Sequence, residues 1–195
     1  MKHIFEATHL ASDKVFIFGK GPSFNRNAEI PEGCKVYCIN QTVNQFLTVG
    51  VPIDLVVFNN LEPLIDVISK RSFQNLAFPY SIHKNEIPTN GHGPTVSEIV
   101  EGLGHNAWMF DLAGHKFQSF IEHHPIKAFT TYNTALSIAL HHGAKTVYTN
   151  GIDGGKGRHE SFLGTHQTFE PNYDAQFEEE KRMLEQYNAK VVRVL

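Results

Sequence analysis

Short apolar runs, each closed by polar or glycine residues, recur along this chain. The first is Lys14-Val15-Phe16-Ile17-Phe18, and further runs fall at 35–40, at 54–59 after the turn Gly50-Val51-Pro52, and at 75–78, 107–111, 145–150 and 190–195. Apolar on both faces and too short for helices, they predict buried parallel strands. Between them the spacing turns helical. Residues 61–71 carry Leu64, Ile65 and Ile68 on one face, and Thr95 with Glu98 three positions on forms a capping box ahead of Val96, Ile99 and Val100. A third helix over 133–142 sets Leu136, Ala139 and Leu140 inward and ends at Gly143; a fourth, over 174–187, is heavily charged outside. Strands alternating with helices predict an α/β protein with a mainly parallel sheet flanked by helices. No repeat, low-complexity tract or linker divides residues 1–195, so a single domain is expected, with a small lid around 79–128 or 154–173.

Composition narrows the picture. A net charge of -3 supplies no global field to attract DNA or an acidic membrane, although Lys156, Arg158, Lys181 and Arg182 could form a local patch. No apolar stretch approaches the roughly 20 residues of a spanning helix, and the N-terminus lacks a signal-peptide core. Cys34 and Cys38, the only cysteines, are expected as small core residues kept reduced in a cytoplasmic protein. Of the 12 histidines, His123-His124 and His141-His142 are adjacent pairs that cannot share a helix face, so no metal site is expected. His141 and His142 sit at a helix end, where the dipole favours them.

Chemistry collects where the strands stop. The first runs into Gly19-Lys20-Gly21-Pro22-Ser23, the second into Asn40-Gln41-Thr42, the third into Asn59-Asn60, and the sixth into Gly151-Ile152-Asp153-Gly154. A parallel sheet brings these ends to one rim, where ligands bind. Glycines let backbone N–H groups approach a phosphate, Ser23 adds a hydroxyl, and amides read a base, ribose or sugar by donating and accepting. The loop G-x-G-P-S lacks the third glycine of a dinucleotide fingerprint, and each Asn taken singly also suits a turn or helix cap.

Taken in order, these residues resemble the bacterial sialyltransferases of glycosyltransferase family 42. The resemblance lies in G-x-G-P-S, in C-x-N-Q at Cys38, Asn40 and Gln41, in Phe58 with Asn60, and most closely in 130–153. That last stretch has a Thr-Thr pair, a small-residue helix, Gly143, Lys145-Thr146-Val147-Tyr148 and Gly151-Ile152-Asp153. It implies a Rossmann-like, GT-A-like transferase that takes a nucleotide-sugar donor as substrate, without metal or other cofactor. Donor binding would then fall to Gly19, Lys20, Gly21, Pro22, Ser23, Asn40, Gln41, Asn59, Asn60, Thr130, Thr131, Gly151, Ile152 and Asp153. The family's general base is a histidine before the last helix, which points to His166 in Gly164-Thr165-His166; His159 is the rival. Lys20 stands where the family usually has Asn. The tyrosines that follow G-I-D in the family are replaced by Gly155, Lys156, Gly157, Arg158 and His159. Lys156 and Arg158 would therefore meet the donor phosphate.

The chemistry also stands without the family. Sugar transfer needs the acceptor hydroxyl deprotonated as the anomeric bond breaks, which suits a histidine. The chain has no D-x-D, which disfavours an ordinary metal-dependent transferase. The acceptor is open between a saccharide, a small molecule, a protein and a nucleic-acid base, and so is the oligomeric state. Two alternatives remain: a pterin diphosphokinase-like transferase, disfavoured because Asn59-Asn60 stands where magnesium-binding acids would be needed, and a non-catalytic nucleotide-binding module.

Overall fold

Residues 2–68, 75–80, 95–113, 125–128, 130–154, 159–162 and 173–195 are described in the structure, a computed structural model. Seven strands form: β1 (Lys14–Phe18), β2 (Lys35–Ile39), β3 (Leu55–Val57), β4 (Asn75–Pro79), β5 (Asn106–Phe110), β6 (Thr146–Asn150) and β7 (Lys190–Arg193). They make one sheet in the order β5-β4-β3-β2-β1-β6-β7. Every pairing is parallel. Among the described residues the helices are α1 (Leu61–Ile68), α2 (Val96–Gly102), α3 (Thr131–His141) and α4 (Tyr173–Tyr187). The chain walks outward from β1 to β5, then returns to lay β6 on the opposite side of β1. The junction of β1 with β6 is therefore a topological switch point.

Strand side chains alternate between two cores. Val15, Ile17, Tyr37 and Ile39 join one core with Ala135, Leu136 and Ala139 of α3 and Met183 of α4. Phe16, Phe18, Val36 and Cys38 join the other with Leu64 and Val67 of α1 and Val96 and Val100 of α2. Both faces are covered, which is why the strands read as continuous apolar runs. The described parts of 79–128 include α2 and β5, which belong to this layered body.

Several boundaries shift from the sequence reading. The second run stops at Ile39, because Asn40 turns into the left-handed region (φ 53°) and opens a 3-10 turn, Asn40–Phe46. The third run pairs only over Leu55–Val57, and the last strand ends at Arg193. The helix expected from 133 starts at Thr131, since Thr130 caps it by accepting from the Asn133 N–H (3.3 Å). Gly143 closes that helix at φ 96°. Its N–H bonds the Leu140 carbonyl and the Ala144 N–H bonds the Ala139 carbonyl, a Schellman arrangement. Cys38 is buried, but Cys34 lies only half-buried at the core's edge; both are free thiols. Two further 3-10 turns, Ile4–Glu6 and Thr8–Leu10, pack the N-terminal segment under α3. There Phe5 stacks on His141 at 3.6 Å, and His142 Nε2 donates to the Ile4 carbonyl (3.0 Å).

Candidate functional site

At the switch point the loops after β1 and β6 meet backbone to backbone. Gly19 N–H donates to the Asn150 carbonyl and Gly21 N–H to the Gly151 carbonyl, each at 2.8 Å. A Cβ on Gly19 would sit 2.5 Å from the Gly151 oxygen; one on Gly151, itself at φ 71°, would sit 2.4 Å from the Gly19 oxygen. Only glycine on both sides permits this contact. Asn150 then ties three segments together. Its Oδ1 accepts from the Asn25 N–H (2.7 Å), and its Nδ2 donates to the carbonyls of Ser23 (3.1 Å) and Val194 (2.9 Å).

Ser23 and Asp153 take part in the same joint. The Ser23 N–H donates to Asp153 Oδ2 (2.8 Å), and its Oγ accepts from the Gly151 N–H (3.2 Å). The Ser23 hydroxyl proton remains available for donation, while its oxygen already serves the loop. Ile152 is buried under the crossover, and Pro22 is exposed on its outer side.

On the other side of β1, toward β2, lie the remaining rim residues. Lys20 Nζ donates to Gln41 Oε1 (3.0 Å), and Gln41 is only 4% exposed. Asn40 Nδ2 approaches Thr131 Oγ1 (3.4 Å) at the N-terminus of α3, whose dipole makes this corner positive. The buried Asn40 Oδ1 has no hydrogen-bond partner. Thr130 is committed to capping, and Asn59 Oδ1 accepts from Thr134 Oγ1 (3.0 Å) against α3. Asn60 is exposed.

A cavity of about 490 Å³ opens beside the crossover, between the ends of β6 and β7 and the first turns of α4. Ser23, Ile152 and Asp153 line it together with Asp174, Phe177, Arg193 and Val194. Arg193 is held within the wall: Nη1 donates to Thr149 Oγ1 (2.7 Å) and Nη2 to both oxygens of Glu180 (2.7 and 2.6 Å). Glu180 also accepts from the Tyr132 hydroxyl, whose pKa is raised by burial and by that carboxylate, so it stays a donor. Sequence reasoning missed Asp174, Phe177, Arg193 and Thr149. The one legible signal was an arginine set among the valines of the last strand.

His159 lies close to the first loop, its N–H donating to the Lys20 carbonyl (3.1 Å). Its Nδ1 accepts from the Ser161 N–H (3.2 Å), so the neutral ring carries its proton on Nε2. His166, Lys156 and Arg158 lie outside the described residues. Arg182, expected to join a basic patch, is paired with Glu179, and that hydrogen bond holds the Glu179 carboxyl below its ordinary range. Among the described residues no cluster of His, Cys, Asp or Glu could hold a metal, and no helix is long and apolar enough to cross a membrane.

No family model and no curated protein matches the chain. Solved structures do match, over nearly its whole length. The monofunctional alpha-2,3-sialyltransferase Cst-I from Campylobacter jejuni has 17% identity and a TM-score of 0.55, covering 94% of this chain and 76% of its own. The sialyltransferase CstII from the same organism, in complex with the substrate analogue CMP-3FNeuAc, has 15% identity and a TM-score of 0.53, covering 93% and 81%. CST-II in complex with a trisaccharide acceptor and CMP has 17% identity and a TM-score of 0.51, covering 93% and 80%. At such identities the likeness is one of architecture. The chain has a sialyltransferase-like α/β fold.

Proposed function

We propose that this protein transfers a sugar from a nucleotide-activated donor to an acceptor hydroxyl, without a metal ion. The observation that carries the reading is the glycine crossover at the switch point, with a cavity on one side and an amide-rich, positive corner on the other. The donor lies across it. Its nucleoside enters the cavity, where Phe177, Ile152 and Val194 give an apolar wall. The Ser23 hydroxyl and the Asp153 and Asp174 carboxylates take ribose hydroxyls and base amines. The sugar extends toward Asn40 and Thr131. Solved proteins of this architecture hold CMP, CMP-3FNeuAc and a trisaccharide acceptor, which supports a glycan as the first acceptor to try.

In the reaction the acceptor oxygen attacks the anomeric carbon, the bond from that carbon to the phosphate oxygen breaks, and the electron pair leaves on the phosphate. The acceptor proton passes to a base. With Nδ1 accepting from the Ser161 N–H, a neutral His159 ring would present a donor rather than an acceptor at Nε2, which favours His166 as the base. Lys156 and Arg158 are held as further phosphate contacts in this reading.

Thermal unfolding with CMP-, UDP- and GDP-linked sugars tests donor binding. A ligand at 100 times its Kd adds about 2.7 kcal/mol of stability, which for a chain of this size raises Tm by about 5–10 °C. Donor hydrolysis and transfer should persist in EDTA. A chain that none of these donors stabilises overturns the reading, and activity abolished by EDTA and restored by magnesium overturns metal independence. His166→Ala should lower turnover about 10²–10⁴-fold with donor affinity nearly unchanged. Full turnover in that variant removes His166 as base.

A further inference from the structure

We propose that Lys20 is the cation that holds the donor's leaving phosphate, and that Gln41 positions Lys20 rather than contacting the donor. This rests on the nucleotide-sugar reading and adds to it an electrostatic division of the site.

Among the described residues the cavity lining is acidic. Asp153 and Asp174 both face it, and the guanidinium they share it with, Arg193, is already paired with Glu180. A phosphate dianion placed there would meet these two carboxylates, which favours the uncharged nucleoside in the cavity. Strand order then says where the phosphate goes. β1 lies next to β6 on the side away from β7, one strand spacing of about 4.8 Å. The loop after β1 is thus within reach of a phosphate joined to a ribose in the cavity.

Lys20 is the cation between the two crossover glycines of that loop, and its backbone is held along three residues. Gly19 and Gly21 donate to the Asn150 and Gly151 carbonyls, and the Lys20 carbonyl accepts from His159. The side chain alone decides where the ammonium lies. It reaches toward β2 and gives one N–H to the Gln41 carbonyl oxygen at 3.0 Å. Gln41 is buried, so its amide is a fixed acceptor for the lysine and cannot move out to a ligand. As the anomeric bond breaks, the electron pair arrives on the phosphate oxygen and Lys20 stays protonated, donating to it throughout. A cation so placed lowers the barrier without a metal.

Calorimetric titration separates the phosphate contribution from the rest. The probes are cytidine, uridine and guanosine against CMP, UMP and GMP, on wild type, Lys20→Met, Lys20→Gln, Lys20→Arg and Gln41→Met, with each variant's melting temperature as the check on folding. The expected result is a preferred base whose monophosphate binds about 10- to 100-fold more tightly than its nucleoside. Lys20→Met and Lys20→Gln should cut that preference at least several-fold, leaving only what Lys156 and Arg158 supply, with nucleoside affinity unchanged. Lys20→Arg should keep most of it, and Gln41→Met should weaken the monophosphate alone. A preference undiminished in Lys20→Met and Lys20→Gln overturns the assignment of Lys20. Equal weakening of nucleoside and monophosphate in Gln41→Met makes Gln41 a donor contact and overturns its positioning role. If wild type binds none of the six probes, the donor reading fails along with this one.

Discussion

Asn40 carries two burdens at once: a left-handed backbone and a buried carbonyl oxygen without a partner. Strain of this kind persists where surrounding structure holds it, and it collects at ligand sites. Asn tolerates φ near 53° better than Ala does, so Asn40→Ala changes two things together. Asn40→Gly is the cleaner variant. It should leave the urea midpoint at or above wild type while weakening donor binding by about 1–3 kcal/mol. Asn40→Ala should show the same binding loss plus about 1 kcal/mol of lost stability. Unchanged donor affinity in Asn40→Gly would remove the amide from the site. Gly21 poses the opposite problem, because a Cβ there would lie 2.2 Å from Asp153 Oδ2. Gly21→Ala must displace that carboxylate from the Ser23 N–H and should lower stability by about 1–3 kcal/mol, read from the same urea titration. The amides at the strand ends were legible as residue types. Their backbone strain and existing bonds were not, because those depend on neighbours more than 90 positions away in the case of Asn40 and Thr131.

Elements with strong periodic signals were read well, and short irregular ones were not. β1 and the Thr95 capping box appear as the sequence implied, since an apolar run between polar ends and a Thr–Glu pair each act locally. The 3-10 turn after β2 was missed because i to i+3 turns leave no apolar period to detect. The bond between elements that matters most is the one through Arg193, which joins β7 to Glu180 on α4 and Tyr132 on α3. Arg193→Met would strand the Glu180 carboxylate. The arginine is 37% exposed, so solvent screening limits the expected loss to about 1–3 kcal/mol, measured by urea unfolding. A wild-type midpoint in that variant would show the network to be idle. At the far end of α3, burial is the main cause that lowers the His142 pKa, with His141 and His9 adding to it. The unfolded chain therefore binds this proton more readily than the folded one. The stability tied to neutral His142 is present above about pH 6.5 and is lost as pH falls through that value toward the lower folded pKa. Urea midpoints at pH 5.5 and 7.5 should differ less in His142→Gln, whose amide can still donate to Ile4, than in wild type.

At the scale of the molecule, the sheet order decides where the site lies, and local pattern does not encode it. A parallel α/β reading followed from the apolar runs, but nothing in 145–150 says that this strand pairs with β1 rather than β5. That choice comes from packing: Val147 joins the same core as Val15 and Ile17, and Asn150 supplies the bonds that lock the loops. The joint has a kinetic consequence. Its hydrogen bonds span 125 to 130 positions, from Ser23 and Asn25 to Asn150 and Asp153. Contacts at such separation bear the largest loop-closure cost and tend to form after local structure. A donor that binds only across this joint finds nothing to hold in a half-folded chain. In stopped-flow experiments a saturating nucleotide should slow unfolding in proportion to the stability it adds and leave the refolding rate unchanged. Refolding that accelerates with nucleotide would mean that the two halves of the sheet meet early, before the outer strands are in place.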